Sequence, residues 1–323
     1  MASPVPALSV VIPVYNSAPI LPDLVERLQP VLEARGAEYE LVLVDDDSPD
    51  GSWKVIQDLA RTRPWIRGLH LMRNFGQHNS LLCGIRNARF ERIATMDDDL
   101  QHPPEELPKL LEKLEEGFDV VYGTPESQQH GLFRDLASQM TKIALQSAVG
   151  ASTARKVSAF RVMRTDLRDA FADYRSQFVS IDVLLTWGST RFTAVTVRHD
   201  PRLVGVSNYT LRKLLAHAMN MMTGFSTRPL QFASLVGFAF TLFGMLVLAF
   251  VVGRYLWQGS SVPGFAFLAS VIAIFSGAQL FALGIIGEYI ARMHFRMMER
   301  PAYAVKSHTE AGPSAADASE THA

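Results

Sequence analysis

The sequence predicts an α/β protein: a mostly parallel sheet domain followed by a two-helix transmembrane hairpin. Two observations predict the sheet. Short β-branched runs alternate with longer segments of helical spacing over residues 8–123, and clusters of polar residues follow the strands. A third predicts the hairpin, namely two almost wholly apolar stretches near the C-terminal end, each about the 20 residues that a helix needs to cross hydrocarbon.

Taken in order, the strands are "LSVVIPV" (8–14), "YELVLVD" (39–45), "IRGLHLM" (66–72), "RIATMD" (92–97) and "DVVYG" (119–123). They are near-continuously apolar, which fits burial on both faces by helices. Helical periodicity lies between them, around residues 19–34, 50–62, 77–89 and 104–116. Residues 133–145 form an amphipathic pattern on Phe133, Leu136, Ala137, Met140, Ile143 and Ala144, with Arg134 and Ser138 four apart on another face. A second amphipathic pattern runs over 211–225, with Arg212, Lys213 and His217 on its polar side. Its place before the apolar region predicts an interfacial helix over 211–228. The spans are Leu230–Val252 and Phe265–Ile286, joined by a loop with interfacial Tyr255 and Trp257.

Basic residues flank the outer ends of these spans: Arg212, Lys213 and Arg228 before, and Arg292, Arg296 and Arg300 after. The positive-inside rule then puts both the domain of residues 1–210 and the tail of 291–323 in the cytoplasm, on an inner (plasma) membrane. The N-terminus lacks a basic segment followed by a long apolar one, so no signal peptide is expected. The final stretch, "HTEAGPSAADASETHA", is small, polar and aperiodic, and is expected to be disordered. A net charge of −1 argues against a nucleic-acid partner. The single cysteine, Cys83, excludes an intrachain disulfide and reads as a buried core thiol.

In open sheets of this type, ligands bind beyond the carboxyl ends of the strands. Tyr15 and Asn16 follow the first strand, "DDDSPDGS" the second, "RNFGQHNS" the third, and Asp97, Asp98 and Asp99 the fourth. An acidic triplet with no cysteine or histidine ligand set beside it suits a hard cation, Mg²⁺ or Mn²⁺, held by one or two carboxylates and a substrate's phosphates. No G-x-x-x-x-G-K-[ST] loop occurs, so a diphosphate would be gripped through metal rather than a glycine cradle. On composition alone, a solvated acidic turn remains an equal alternative. His78 and His102 read as hydrogen-bonding loop residues, and Glu288 as a helix-end charge paired with Arg292 or a functional charge near the membrane.

"VVIPVYN", "LVLVDDDSPDGS", "NFGQHNSLLCGI" and "MDDDLQHPPEELPKLL", in this order and spacing, resemble the inverting family 2 glycosyltransferases of GT-A (Rossmann-like) fold. More narrowly, they resemble the polyprenyl-phosphate sugar transferases, among them dolichol-phosphate mannose synthase and the bacterial undecaprenyl-phosphate enzymes. "PRLVGVSNYTLRKLL" and the spans ending "GIIGEYIARM" are similar to the bacterial branch, and the resemblance covers residues 8–305. It implies donor-binding roles for Pro13, Tyr15, Asp46, Gln77, Gln101 and Ser207. Asp97 and Asp99 would form the metal pair and, with Arg202, the catalytic set. Arg202, Gly205, Ser207 and Tyr209 match a loop that closes over the donor phosphates, and Arg134 and Ser138 match positions that hold the lipid phosphate.

Three departures stand out. Ser17 replaces a glutamate, an arginine after the fifth strand is replaced near Pro125, and Arg155 and Lys156 occupy the neighbourhood of an aspartate often assigned as base. The basic pair is read as replacing lost contacts to the acceptor phosphate, with an ordinary solvated basic turn as the equal alternative.

The function expected is metal-dependent, inverting transfer of a hexosyl or pentosyl group from a UDP- or GDP-sugar to polyprenyl (undecaprenyl) phosphate at the cytoplasmic membrane face. The rivals are a glycosyltransferase with another membrane acceptor, or a catalytically silent membrane partner that keeps the fold. Homo-oligomerisation stays open.

Overall fold

Strand β1 (Leu8–Val14) is buried at every position, as its nearly continuous apolar run requires. Its side chains alternate between two cores. Val10, Ile12 and Val14 join one cluster, and Val11 joins the other. The computed structural model describes residues 5–125, 157–200, 227–258 and 264–309.

Strands β2 (Tyr39–Asp45), β3 (Ile66–Leu71) and β4 (Arg92–Thr95) run parallel with β1 in the order β3-β2-β1-β4. On one face, α1 (Leu21–Glu33) buries Leu21, Leu24, Val25, Leu28 and Leu32, a helical stripe. Helix α2 (Ser52–Thr62) and, after a 3₁₀ turn at Pro104–Glu106, α4 (Leu107–Glu115) complete that face. The other face is covered by α3 (Gln77–Asn87), whose residues Asn79–Ile85 are all buried. Gly84 lets this helix approach the sheet, since a Cβ there would stand 2.3 Å from Val11 Cγ1.

Among the described residues the sheet has eight strands, the further four being β5 (Val120–Pro125), β6 (Arg161–Arg164), β7 (Phe192–Val197) and β8 (Val305–His308), in the order β7-β5-β6-β4-β1-β2-β3-β8. Strands β5 and β7 pair parallel. The strand β6 lies antiparallel between β4 and β5, and β8 runs antiparallel along β3. Helix α5 (Ile181–Gly188) packs its apolar residues into the second core. The sequence pattern did not announce β6, α5, β7 or β8. Strands of four residues show too little periodicity to read, although "FTAVTV" in β7 carries a β-branched signal. One expectation needs correction: the stretch from His308 onward was read as disordered, yet His308 ends β8 and the Thr309 amide donates to Gly68 O at 3.0 Å. Backbone ladder bonds along β3 order those residues. Cys83 is buried, and burial pushes its thiol up to about 12.

The described residues divide into two units, with the sheet domain and residues 299–309 in one and residues 227–258 and 264–298 in the other. In the second, α6 (Arg228–Gln258) and α7 (Phe265–Met297) contain segments long and apolar enough to cross a membrane, Arg228–Trp257 and Ile274–Met297. Phe275 packs edge-to-face on Phe240, with ring centroids 5.7 Å apart. Arg292 Nη2 donates to Glu288 Oε1 at 2.8 Å, so Glu288 is a paired helix charge. The amphipathic helix read at 133–145 and residues 211–226 of the one read at 211–228 lie outside the described residues, and Arg228 opens α6.

Candidate active site

Four parallel strands end at one edge, and the loops that leave them are stitched together. Pro13 sits near the end of β1. Val11 accepts from Met96 N on the β4 side and Val14 from Asp46 N on the β2 side. By alternation, Pro13 faces the β4 side, where pairing has already stopped at Val11–Thr95, so its missing N–H leaves no gap in the ladder. Beyond it, the Tyr15 amide donates to Asp98 Oδ2 at 3.2 Å and the Asn16 amide to Ser48 Oγ at 3.1 Å. Asp46, buried at the end of β2, accepts from the amides of Phe75 (2.7 Å) and Gly76 (2.8 Å). Gln77, the first residue of α3, donates from Nε2 to Asp97 Oδ1 at 2.6 Å.

The backbone of this edge is strained in a consistent way. Asn16, Asp47 and Leu100 all adopt the left-handed region, at φ 58°, 55° and 57°. They follow β1, β2 and β4 in turn. Such residues gather where a chain must present groups to a ligand.

Within the triplet the carboxylates have different surroundings. Asp97 is pushed up to about 7, first by burial and then by Asp99 and Asp98, against an opposing pull from Arg161 and Gln77. Asp98 is raised by burial but accepts from the Ser17 hydroxyl (2.5 Å) and the Tyr15 amide. Asp99, 8% exposed, accepts from the Gln101 amide at 3.1 Å in an Asx turn. Gln101 O in turn accepts from Asp200 N at 2.9 Å. The Asp98 carboxylate anchors the β1 loop. Ser17 is the donor to it, and a glutamate at 17 would set two anions against each other.

The donor chemistry fits a hard divalent cation. Asp97 and Asp99 offer oxygen ligands, and their mutual repulsion would be relieved by positive charge. Among the described residues no group of three His, Cys, Asp or Glu side chains forms a complete ligand set. Mg²⁺ and Mn²⁺ sites of this kind take their remaining ligands from substrate phosphates and water. His78 Nδ1 accepts from Ile181 N at 3.4 Å, and the His102 ring packs 5.5 Å from Phe160 and 5.0 Å from His199. Burial, then His199, push His102 down to about 4.

The site also uses residues that sequence reasoning passed over. Arg161, 2% exposed, ion-pairs with Asp182 and donates from Nε to Thr95 Oγ1 at 3.0 Å, while Tyr122 OH donates to Asp182 Oδ1 at 3.1 Å. This buried cation is the positive charge felt by Asp97. The available signal was an arginine in the apolar run "AFRVM" and an aspartate in "SIDVLL", opposite charges in segments otherwise destined for the core. At the ends of β2 and β3, His70 Nδ1 lies 3.2 Å from Asp45 Oδ2 and Nε2 3.5 Å from Asp47 Oδ1. Pro13, Tyr15, Asp46, Gln77, Asp97, Asp99 and Gln101 thus share one edge. Arg134, Ser138, Arg155, Lys156, Arg202 and Ser207 lie outside the described residues.

Residues 9–173 match the model of "Glycosyl transferase family 2". The chain belongs to glycosyl transferase family 2. This family 2 glycosyltransferase is 35% identical over 309 residues to the undecaprenyl-phosphate 4-deoxy-4-formamido-L-arabinose transferase of Yersinia pestis (strain Pestoides F), covering 94% of each chain. It is 34% identical over 320 residues to the protein of the same name from Pseudomonas paraeruginosa, covering 97% of this chain and 93% of that one. Among solved structures, it resembles glucosyl-3-phosphoglycerate synthase from Mycobacterium tuberculosis in complex with Mn²⁺, UDP and phosphoglyceric acid. The TM-score is 0.51 at 15% identity, over 68% of this chain and 76% of that one. That likeness supports the GT-A fold of the glycosyltransferase domain.

Proposed function

We propose that this glycosyltransferase moves one sugar from a UDP- or GDP-linked donor to undecaprenyl phosphate, with inversion, at the cytoplasmic face of the inner membrane. The observation that carries the acceptor is the similarity, along nearly the whole length of both chains, to relatives named as undecaprenyl-phosphate transferases. The two apolar helices agree with a lipid acceptor, and the flanking arginines with a cytoplasmic domain and tail in a multi-pass protein.

Pro13 and Tyr15 border the nucleotide pocket, and Asp46 shapes it by holding the Phe75 and Gly76 amides. Asp97 and Asp99 would hold Mg²⁺ or Mn²⁺, with Gln101 beside them. A solved structure of like fold is described with Mn²⁺ and UDP. Bound there, the cation would neutralise charge on the departing nucleoside diphosphate. Gln77 orients Asp97 through its 2.6 Å hydrogen bond. Arg202, Gly205, Ser207 and Tyr209 are assigned, by the family resemblance, to contacts with the donor phosphates.

The acceptor's chemistry accounts for a site without an aspartate near 155–156. A hydroxyl acceptor must lose a proton to attack. A phosphate monoester, with a second pKa of about 6, is already largely dianionic. Its difficulty is repulsion by the donor, which Arg134, Ser138, Arg155 and Lys156 lessen by holding the lipid phosphate. The test incubates detergent-purified protein with undecaprenyl phosphate and radiolabelled UDP- and GDP-sugars, with Mg²⁺, Mn²⁺ or EDTA. Label should enter the lipid phase only with metal, and the Asp99→Ala protein should transfer none. Nucleotide binding without transfer of any sugar would instead indicate another acceptor or a silent partner.

A further inference from the structure

The segment after the second apolar helix does more than cover a sheet edge. Strand β8 pairs with β3 through Leu69–His308, His70–Ser307 and Leu71–Val305. Two carbonyls just before it reach further. Ala304 O accepts from Met72 N at 2.9 Å, and Ala302 O accepts from Asn79 Nδ2 at 2.8 Å. These donors bracket the turn that leaves β3 and opens α3, so the tail holds that turn at both ends.

The bracketed turn belongs to the active site. It contains Gly76, at φ 95° and ψ 153°, a conformation open almost only to glycine. It contains the Phe75 and Gly76 amides bound by Asp46, and Gln77, bound to Asp97. Asn79 is 6% exposed and spends its side-chain amide on two carbonyls, Ala302 O and Gln177 O (3.2 Å). Ala302 is itself buried, and Tyr303 packs on the second core with the Arg86 guanidinium 5.9 Å from its ring centroid. Protection of an exposed edge would need only the β8 ladder. Ala302 stands outside that ladder, and its carbonyl serves Asn79.

We propose that residues 302–309 are a positioning strap, in which Ala302 acts through Asn79, and Ala304 through Met72, to set the turn that brings Gln77 to Asp97. The functional consequence rests on the reading of Gln77 and Asp97 as donor-site residues. The Ala302 and Ala304 carbonyls and Asn79 are therefore positioning groups that need not touch the substrate.

The test measures amide hydrogen exchange in full-length protein in detergent, together with donor KM and kcat. In the unaltered protein, the Met72 amide should be as protected as neighbouring β3 amides. Asn79→Leu keeps the branched side-chain shape and the β8 ladder but removes both N–H donors. It should speed exchange at Phe75 and Gly76 and raise donor KM, each about tenfold, with a smaller change in kcat. Asn79→Gln, which retains an amide donor, should recover part of both. Unchanged exchange at Phe75 and Gly76 in Asn79→Leu would overturn the strap, as would an unprotected Met72 amide should that variant not fold. If exchange responds as expected while no donor is bound or turned over, the strap stands and the donor reading falls.

Discussion

The two ends of the sheet both bury carboxylates, and they treat them in opposite ways. At the amino end, Glu40 is 3% exposed and accepts from Ser9 Oγ (2.7 Å), Arg67 Nη1 (2.8 Å) and the Arg89 amide (2.7 Å). Its charge is matched by a guanidinium and its lone pairs are occupied. At the carboxyl end, Asp97 and Asp98 receive neutral donors, Gln77, Ser17 and the Tyr15 amide. The buried arginine nearest in effect, Arg161, is already engaged by Asp182. The comparison separates two uses of one side-chain type. Glu40 is held by a cation of its own, while Asp97 and Asp98 are held by neutral donors, the arrangement that the metal site proposed for the triplet would use.

The comparison breaks most visibly if the acids are neutralised one at a time. Asp97→Asn and Asp99→Asn should each lower kcat/KM for sugar transfer by about a thousandfold, roughly 4 kcal/mol, in the radiolabel assay. Their melting temperatures should stay close to that of the unaltered protein. Glu40→Gln should do the reverse, destabilising by about 2 kcal/mol in a denaturant titration because it removes the buried charge that pairs with the half-buried Arg67 guanidinium. Activity of the folded fraction should persist. If Glu40→Gln abolished turnover without loss of stability, the division between the two ends would fail.

A third prediction uses pH. His102 titrates near 4 when folded and near its ordinary 6.5 when unfolded. Between those values the unfolded chain binds more protons, so stability rises with pH across that window and falls on acidification. The full linkage is up to about 3 kcal/mol, and His102→Gln should flatten the melting-temperature profile between about pH 4 and 6.5. The smallest effect is expected for Ser17→Ala. It removes one hydrogen bond to Asp98 and should destabilise by about 1 kcal/mol, visible as a small shift in denaturation midpoint.

Much of the site was legible because parallel strands all deliver their following loops to one edge. Once β1 to β4 were read from their apolar runs, Tyr15, Asp46, Gln77 and Asp97–Gln101 had to meet there. What escaped notice was of another kind. Asp98 and Ser17 are 81 positions apart, Arg161 and Asp182 21 apart, and Asn79 and Ala302 223 apart. No periodicity relates such partners, and a hydrogen bond between them exists only after the sheet has aligned their strands. The departure at Ser17 shows the distinction well. As a sequence feature it read only as a departure from the family's glutamate, whereas in the fold it is the donor that steadies the middle acid of the triplet.

By itself, then, the sequence determined the alternation of strands and helices, the edge where the site lies, the acids that fill it and the two apolar helices. Each of these follows from residue type and short-range spacing, which act before any tertiary contact forms. Only the tertiary structure decided which acid is structural, where Arg161 finds its counter-ion and how the tail holds the turn of Gln77. Those choices depend on burial and on geometry between distant segments. A carboxylate's role is set by what surrounds it, and its surroundings are made by the fold.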